Sequence, residues 1–373
     1  MDLHLICEPV EASALWVTDI MDGIVREAMK KGLRLIASTD GTVRDDLSAA
    51  DADTEHRPVL VVGYSLPWIN QTLYALRETE AEPVLVSVYQ QRLNDEYSFA
   101  CFNTVQAMQT LVGYLAGIGC GRIALFGLHR DTAGDLSKLR GFAAGMRSHS
   151  LCFSAADIYS RGIIADCAAQ LLANISQYDA VVCTNDLLAI YLTQYLHSRG
   201  IRVPEDIRIT GFGNWMAAER FRPTITRMYT DLVELGAQAV RLHQSLCFNP
   251  QLRHSTAVLE CTLRVGGSTA HAPSNSKAQV NAIAPLPANA SPPYNSDPDI
   301  MEALRVEQLV RGTDAIDLDV LRGICAGDTY AAISEQSSVS DSTIKYRLAK
   351  MLRLLDFTDR HQLTDFVRKY HLL

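Results

Sequence analysis

The sequence predicts an α/β protein built on parallel sheet and extended at its C-terminus by a small all-helical region. Three observations carry this. From Met1 to about Val265, short apolar runs alternate with helical patterns, which is how strands joined by crossover helices read. Those runs are continuously apolar, as strands buried on both faces should be. After a stretch rich in Gly, Ser, Ala, Asn and Pro, from about residue 266 to 299, the remaining chain reads as helices alone.

The strand candidates are Leu3–Cys7, Leu33–Ala37, Val59–Val62, Val84–Val88, Arg122–Phe126, Ala180–Cys183 and Ile207–Thr210. Helical patterns run over Leu15–Lys31, Thr104–Ile118, Gly134–Ser148, Ile163–Ile175 and Leu187–Arg199. Several strands are followed by a small or polar residue and then a helix, so the functional edge is expected at the C-terminal ends of the strands. Residues 266–299 hold no usable apolar period and read as a flexible linker between a domain at 1–265 and a domain at 300–373. Ile300 to Leu309 can form a short helix ahead of the last domain.

At 373 residues the chain is longer than one typical domain. Apolar residues make up 48% and charged residues 20%, an ordinary globular balance. The net charge of −8 argues against a generally basic surface, but DNA binding depends on charge local to one face. Nine cysteines are scattered singly, with no CxxC pair. That predicts free thiols in a reducing cytoplasm, with neither a zinc site nor a disulfide framework. The N-terminus begins almost at once with a strand and lacks an export signal. No apolar run approaches the ~20 residues needed to span a bilayer, so a cytoplasmic protein without membrane contact is expected.

The C-terminal region carries the most specific local pattern. Gly327 to Leu355 reads as two helices joined by a Ser-rich turn. The second opens at Ser340-Asp341-Ser342, whose oxygens can accept the unpaired amides of a first turn. Ile344, Leu348, Met351, Leu352 and Leu355 then form a buried face, opposite Lys345, Arg347, Lys350 and Arg353. Such a helix is commonly only a solvated surface element. Its neighbours shift that balance: a helix ended by Gly327 precedes it, and Thr358-Asp359-Arg360-His361-Gln362-Leu363 caps a fourth helix behind it. From Asp314 to Leu373 the pattern resembles a LuxR-type helix-turn-helix domain, on Val320-Leu321, Ala326-Gly327, Ile333-Ser334, Val339-Ser340, Ser342-Thr343-Ile344-Lys345, Leu348, Leu355-Asp356 and Arg360. The resemblance implies Lys345 and Tyr346 at base edges and Thr343 and Arg353 at phosphates, with Ser342 and Lys350 beside them. Ala349 falls where relatives often carry a longer polar residue, leaving a gap or methyl packing on thymine.

The N-terminal region resembles a LacI/GalR-type, periplasmic-binding-protein-like sensor. The resemblance rests on Leu115-Ala116-Gly117-Ile118-Gly119 before Arg122-Ile123-Ala124-Leu125-Phe126-Gly127, on Val182-Cys183-Thr184-Asn185-Asp186-Leu187-Leu188-Ala189, on Gly200-Ile201-Arg202-Val203-Pro204-Glu205-Asp206-Ile207, and on Gly211-Phe212 with Arg222-Pro223-Thr224-Ile225-Thr226. It implies two α/β lobes with parallel sheets and a ligand held in a cleft at the strand ends. It also departs from the pattern, since such regulators normally carry their DNA-binding unit ahead of the sensor.

By position, the resemblance implies ligand contacts from Glu11 and Ser13 in the first strand-end loop, then Trp16, Tyr89, Asn103, Lys138, Tyr159, Asn185, Asp186 and Gly213. Read as residues alone, Asn185-Asp186 is equally a helix N-cap, and a cap can share the loop with a ligand. Lys138 falls where sugar-binding relatives commonly have arginine, while Asn103 and Gly213 fall where they commonly have aspartate. With two expected carboxylates absent a plain sugar is disfavoured, and the effector is open between sugar-like, anionic held by Lys138, apolar packed on Tyr159 and Trp16, and none at all.

No catalytic or metal constellation is expected. The ten histidines are dispersed, and Gly117-Ile118-Gly119-Cys120-Gly121 precedes a strand, whereas a dinucleotide loop follows one. The expected protein is thus a non-enzyme without cofactor: a transcription regulator that binds an effector and DNA as a homodimer. The alternative is a cytoplasmic ligand-binding scaffold whose C-terminal helices hold a protein. A response regulator does not fit, because the first strand lacks the following acidic pair of a magnesium site.

Overall fold

A computed structural model describes residues 2–9, 15–38, 57–77, 79, 81–87, 96–130, 132–160, 163–249, 251–252, 254–270 and 298–373. The first sheet holds β1 (Asp2–Cys7), β2 (Arg34–Ser38), β3 (Pro58–Val62), β4 (Glu82–Val86), β5 (Ser98–Phe102) and, from later in the chain, β11 (Thr256–Leu259). Their order is β11-β5-β4-β3-β1-β2, with parallel ladders such as His4 against Val59 and Val84 against Ser98. The second sheet holds β6 (Ile123–Leu128), β7 (Ile158–Ser160), β8 (Ala180–Cys183), β9 (Arg208–Gly213), β10 (Thr226–Tyr229) and β12 (Thr262–Arg264), in the order β12-β10-β9-β8-β6-β7. Two parallel-sheet α/β lobes and a helical C-terminal region are thus present, as the sequence predicts.

The crossovers that parallel pairing requires are α1 (Leu15–Lys30), α2 (Leu66–Leu76), α3 (Thr104–Gly117), α4 (Ala133–Ser148), α5 (Ile164–Asn174), α6 (Asp186–His197), the short α7 (Ala217–Arg220) and α8 (Leu232–Phe248). The C-terminal helices are α9 (Pro298–Gly312), α10 (Ala315–Ala326), α11 (Tyr330–Ser337), α12 (Asp341–Leu355) and α13 (Arg360–Lys369). Among the described residues no helix is long and apolar enough to cross a membrane.

The chain divides into two compact units, residues 1–161 with 228–264 and residues 162–227 with 265–373. In the first, α1 and α8 lie against each other over a core of Leu3, Leu5, Ile20, Ile24, Leu60, Leu235 and Val240. Two glycines allow their close approach: a Cβ at Gly23 would strike the Val233 carbonyl, and one at Gly236 the Ile20 carbonyl. Arg241 of α8 fastens the same contact by pairing with Glu27 and Glu234 at 3.0 and 2.7 Å.

In the second unit, α6 is buried from Asp186 through Thr193 without interruption. A helix that is apolar all round must be covered all round. Here α9 supplies cover, packing on α6 and α7. That placement corrects three expectations. Gly266–Ala270 is not linker: Ser268 is buried, its amide donates to Thr224 O at 2.9 Å and its hydroxyl to Ile209 O at 2.6 Å. Pro298 and Asp299 belong to α9, which is also longer than the short helix expected from Ile300 to Leu309. The rest of the expected linker lies outside the described residues. A smaller correction concerns Val84–Val88: the strand stops at Val86 because Ser87 takes a left-handed φ of 73°. β5 and α2 were not anticipated; α2 opens on Leu66-Pro67, where a proline at the helix start needs no amide partner.

Candidate effector site and candidate nucleic-acid interface

At the C-terminal end of β1 stands Glu8, a residue the sequence reading did not single out. It is buried, and its carboxylate accepts hydrogen bonds from the Tyr64 amide (2.7 Å), the Ser65 amide (3.1 Å) and the Ser65 hydroxyl (2.6 Å). A negative group is favoured there because the unpaired amides and dipole of α2 point at it. Trp16 sits edge-on to Tyr64, ring centres 5.9 Å apart. Ser65 also bridges to Thr132, whose hydroxyl caps α4 by accepting from the Asp135 amide.

One turn into α4 is Lys138. Its ammonium lies 2.9 Å from Asp135, and both side chains are largely buried. The other Asp135 oxygen accepts from the His129 amide at 2.9 Å. The positive charge of Lys138 is therefore matched locally. Asn103 caps α3 through Oδ1 and donates from Nδ2 to Glu260 at 3.1 Å. Beside Glu260, burial pushes the Cys261 thiol up to about 12. Tyr159 is buried in β7. Within this unit three carboxylates are each hydrogen-bonded, Glu8 to Ser65, Asp135 to Lys138 and Glu260 to Asn103. Glu11, Ser13 and Tyr89 lie outside the described residues.

In the second unit, Asn185 caps α6, its side chain accepting from the Leu188 amide at 2.8 Å. Asp186 is fully buried and receives the Trp215 amide at 3.1 Å. Gly213, at φ 142°, passes close over that carboxylate, and a Cβ at Gly211 would press on its other oxygen. The structure therefore brings Asn185, Asp186 and Gly213 together, with Asp186 serving as a bracket beneath the loop. Buried Arg227 holds the far side, donating to Trp215 O at 3.0 Å and to Glu219 at 2.7 Å. The GxG spacing at Gly211 and Gly213 is the signal that a bulky group lies against this strand end; of the two, only Gly213 is an expected site residue, while Gly211 carries the family resemblance.

In the C-terminal helices, Ser340 caps α12 by accepting the Thr343 amide, and its hydroxyl meets those of Ser342 and Thr343. Ser338, in left-handed conformation, turns the chain from α11 into α12. Ile344, Leu348, Met351 and Leu355 are buried. Lys345, Tyr346, Ala349 and Arg353 are exposed along the opposite side. Lys345 stands 5.9 Å over the ring of Tyr330 on α11, and Arg353 donates to the Ala349 carbonyl.

Lys350 and Arg347 do not join that exposed row. Both pair with Asp317 of α10, at 2.8 and 2.7 Å, and Arg347 also with Asp314. Burial works to raise the Asp317 carboxyl, but hydrogen bonds from Lys350, Arg347 and the Asp314 amide outweigh it and hold it below the ordinary range.

Residues 112–269 match the family of periplasmic binding protein-like domains. The HTH-type transcriptional repressor PurR of Vibrio vulnificus is 22% identical over 239 residues, covering 62% of this chain and 71% of that protein. Catabolite control protein A of Staphylococcus epidermidis is 24% identical over 207 residues, covering 54% and 61%. Among solved structures, a LacI-type putative regulator from Bacillus cereus subsp. cytotoxis superposes with a TM-score of 0.61 at 17% identity, over 72% of this chain and 98% of that one. The regulator CcpA of Lactococcus lactis superposes with 0.59 at 17%, over 72% and 100%. Residues 112–269 are therefore similar to periplasmic binding protein-like domains, and the fold is shared with solved LacI-type regulators. The family match ends at residue 269, ahead of α9.

Proposed function

We propose that the chain is a ligand-responsive transcription regulator. It takes a small molecule at the strand ends of its sensor and DNA on α12, acts as a homodimer in the cytoplasm, and does no covalent chemistry. The observation that carries the reading is the division of α12: Ile344, Leu348, Met351 and Leu355 hold it down while Lys345, Tyr346, Ala349 and Arg353 face outward from a capped N-terminus. A helix so presented, after a short helix and a tight turn, suits a major groove. The names of the relatives, repressors and control proteins, support the same reading.

Among effectors, a neutral polyhydroxyl compound fits better than an anion. Glu8, Asp135 and Glu260 offer acceptors for hydroxyl groups, and Lys138 is already balanced by Asp135.

The rival reading is a ligand-binding scaffold whose C-terminal helices hold a protein. It draws on Tyr346, which is 65% exposed, and on the withdrawal of Arg347 and Lys350 into ion pairs. A gel-shift titration at fixed salt separates the two. Genomic fragments selected on the full chain should bind, and Lys345→Ala should weaken that binding by roughly 1–3 kcal/mol if the lysine reads a base edge. Failure to retain any fragment would favour the scaffold.

A further inference from the structure

Helix α9 joins two parts of the second unit through opposite faces. At 100° per residue, Ile300, Ala303, Leu304, Glu307 and Arg311 fall on one side, and Glu302, Arg305, Leu309 and Gly312 on the other. The contacts agree. On the first side, Glu307 is fully buried and accepts the amides of Met216 (3.1 Å) and Ala217 (2.7 Å), with Arg311 donating to it at 2.6 Å. On the second, a Cβ at Gly312 would enter the Leu354 side chain of α12, Arg305 lies 5.6 Å over Phe357, and Glu302 pairs with Lys369 of α13.

The segment held by Glu307 directly follows Gly213. Four successive backbone groups there are fixed by three charged side chains: Trp215 N by Asp186, Trp215 O by Arg227, and the amides of Met216 and Ala217 by Glu307. We propose that α9 is a coupling strut, which makes the loop from Gly213 to Ala217 and the α12–α13 pair shift as one body. Separating the loop from α9 would leave the two amides without acceptors and the carboxylate with Arg311 alone, so a displaced loop carries α9 with it. Gln194 of α6 adds a second link, donating to the Lys369 carbonyl at 2.9 Å. For its purpose this inference rests on the regulator reading; its test does not, because coupling between two faces is reciprocal whatever the helices bind.

The test is amide hydrogen exchange on the full chain, without DNA. Glu307→Gln keeps the volume but replaces one acceptor oxygen by a donor, and Gly312→Ala disturbs the Leu354 contact. Each variant should accelerate exchange at the far face by about tenfold: Glu307→Gln in peptides over 353–358, Gly312→Ala in peptides over 214–218. Lys369→Glu, an exposed change that breaks the Glu302 pair, serves if either variant loosens the whole fold, and should speed exchange over 214–218 as well. Acceleration confined to the mutated face in all variants overturns the strut. A chain that shows reciprocal exchange but retains no DNA fragment keeps the strut and loses the regulator reading.

Discussion

Asp317 stands three residues after Asp314, so a capping pair at the start of α10 is legible in the sequence as D-x-x-D. What is not legible is its second task, because Arg347 and Lys350 are some thirty positions away and read as part of the basic, DNA-facing side of the helix, with Lys350 among the expected DNA contacts. The carboxylate is fully buried with two cations on it. Asp317→Asn removes the charge that both were desolvated against, and should cost roughly 3 kcal/mol in chemical denaturation monitored on the full chain. A loss below about 1 kcal/mol would show the pair to be as weak as a surface bridge. In the first unit, His243 makes the comparable case for pH. Burial pushes its pKa down to about 4; Pro58 opposes this through a backbone hydrogen bond, and His4 adds to it. Cys247 Sγ stands 3.8 Å from its Nδ1. Its folded value lies below the unfolded value of about 6.5. Stability is therefore complete above about pH 6.5 and falls on acidification until the folded value is reached, by as much as about 3 kcal/mol. A thermal midpoint that stays level from pH 7 to pH 4.5, or falls equally in His243→Asn, would remove this histidine from the account.

Elements were more legible than the contacts between them. Continuous apolar runs located β1, β3, β6 and β8, because strands covered on both faces have no polar side to break the pattern. The run from Leu187 to Leu192 is equally continuous, yet it was read only as a helix with a cap, although a helix apolar all round signals a covering partner. That partner is α9, a helix of mixed polarity whose inward side carries the buried Glu307. The contact of α1 with α8 was hidden for another reason: glycines inside helices read as weak points, whereas here they permit backbone approach. Gly236→Ala would drive a methyl into the Ile20 carbonyl and should destabilise by about 1–3 kcal/mol, against the gain an alanine brings to a free helix. Equal or higher stability in urea unfolding would mean that α8 can slide on α1 at little cost. Of the candidate effector residues, Asn185 and Asp186 were legible because the Thr-Asn-Asp context is local, while Gly213 came only by its position in the resemblance and its closeness to Asp186 is a tertiary contact. Asp135 is an i,i+3 neighbour of Lys138 within α4 and so was within reach of the sequence, whereas Glu260, the partner of Asn103, is brought there only by tertiary packing.

For the whole molecule, charge decides how firmly any DNA can be held. The chain carries a net charge of −8, so long-range attraction to a phosphate backbone is poor and contact must be local. Most cations of the C-terminal helices are engaged within the protein. Arg322 pairs with Asp319, Arg347 and Lys350 with Asp317, Arg311 with Glu307 and Lys369 with Glu302, while Arg368 donates to the Cys325 carbonyl. On the exposed side of α12, Lys345 and Arg353 remain turned outward. Each phosphate neutralised contributes about −0.9 to the slope of log affinity against log salt. With Lys345 at a base edge and Arg353 at a phosphate, one set of C-terminal helices should therefore give a slope of about −1, and a homodimer with both sets engaged about −2. The slope is read from gel-shift titrations of one selected duplex at several salt concentrations, with oligomeric state fixed by sedimentation. A slope much steeper than the homodimer's would require the internal ion pairs to open on binding, with Arg347 and Lys350 delivered to the phosphates and Asp317 left without partners.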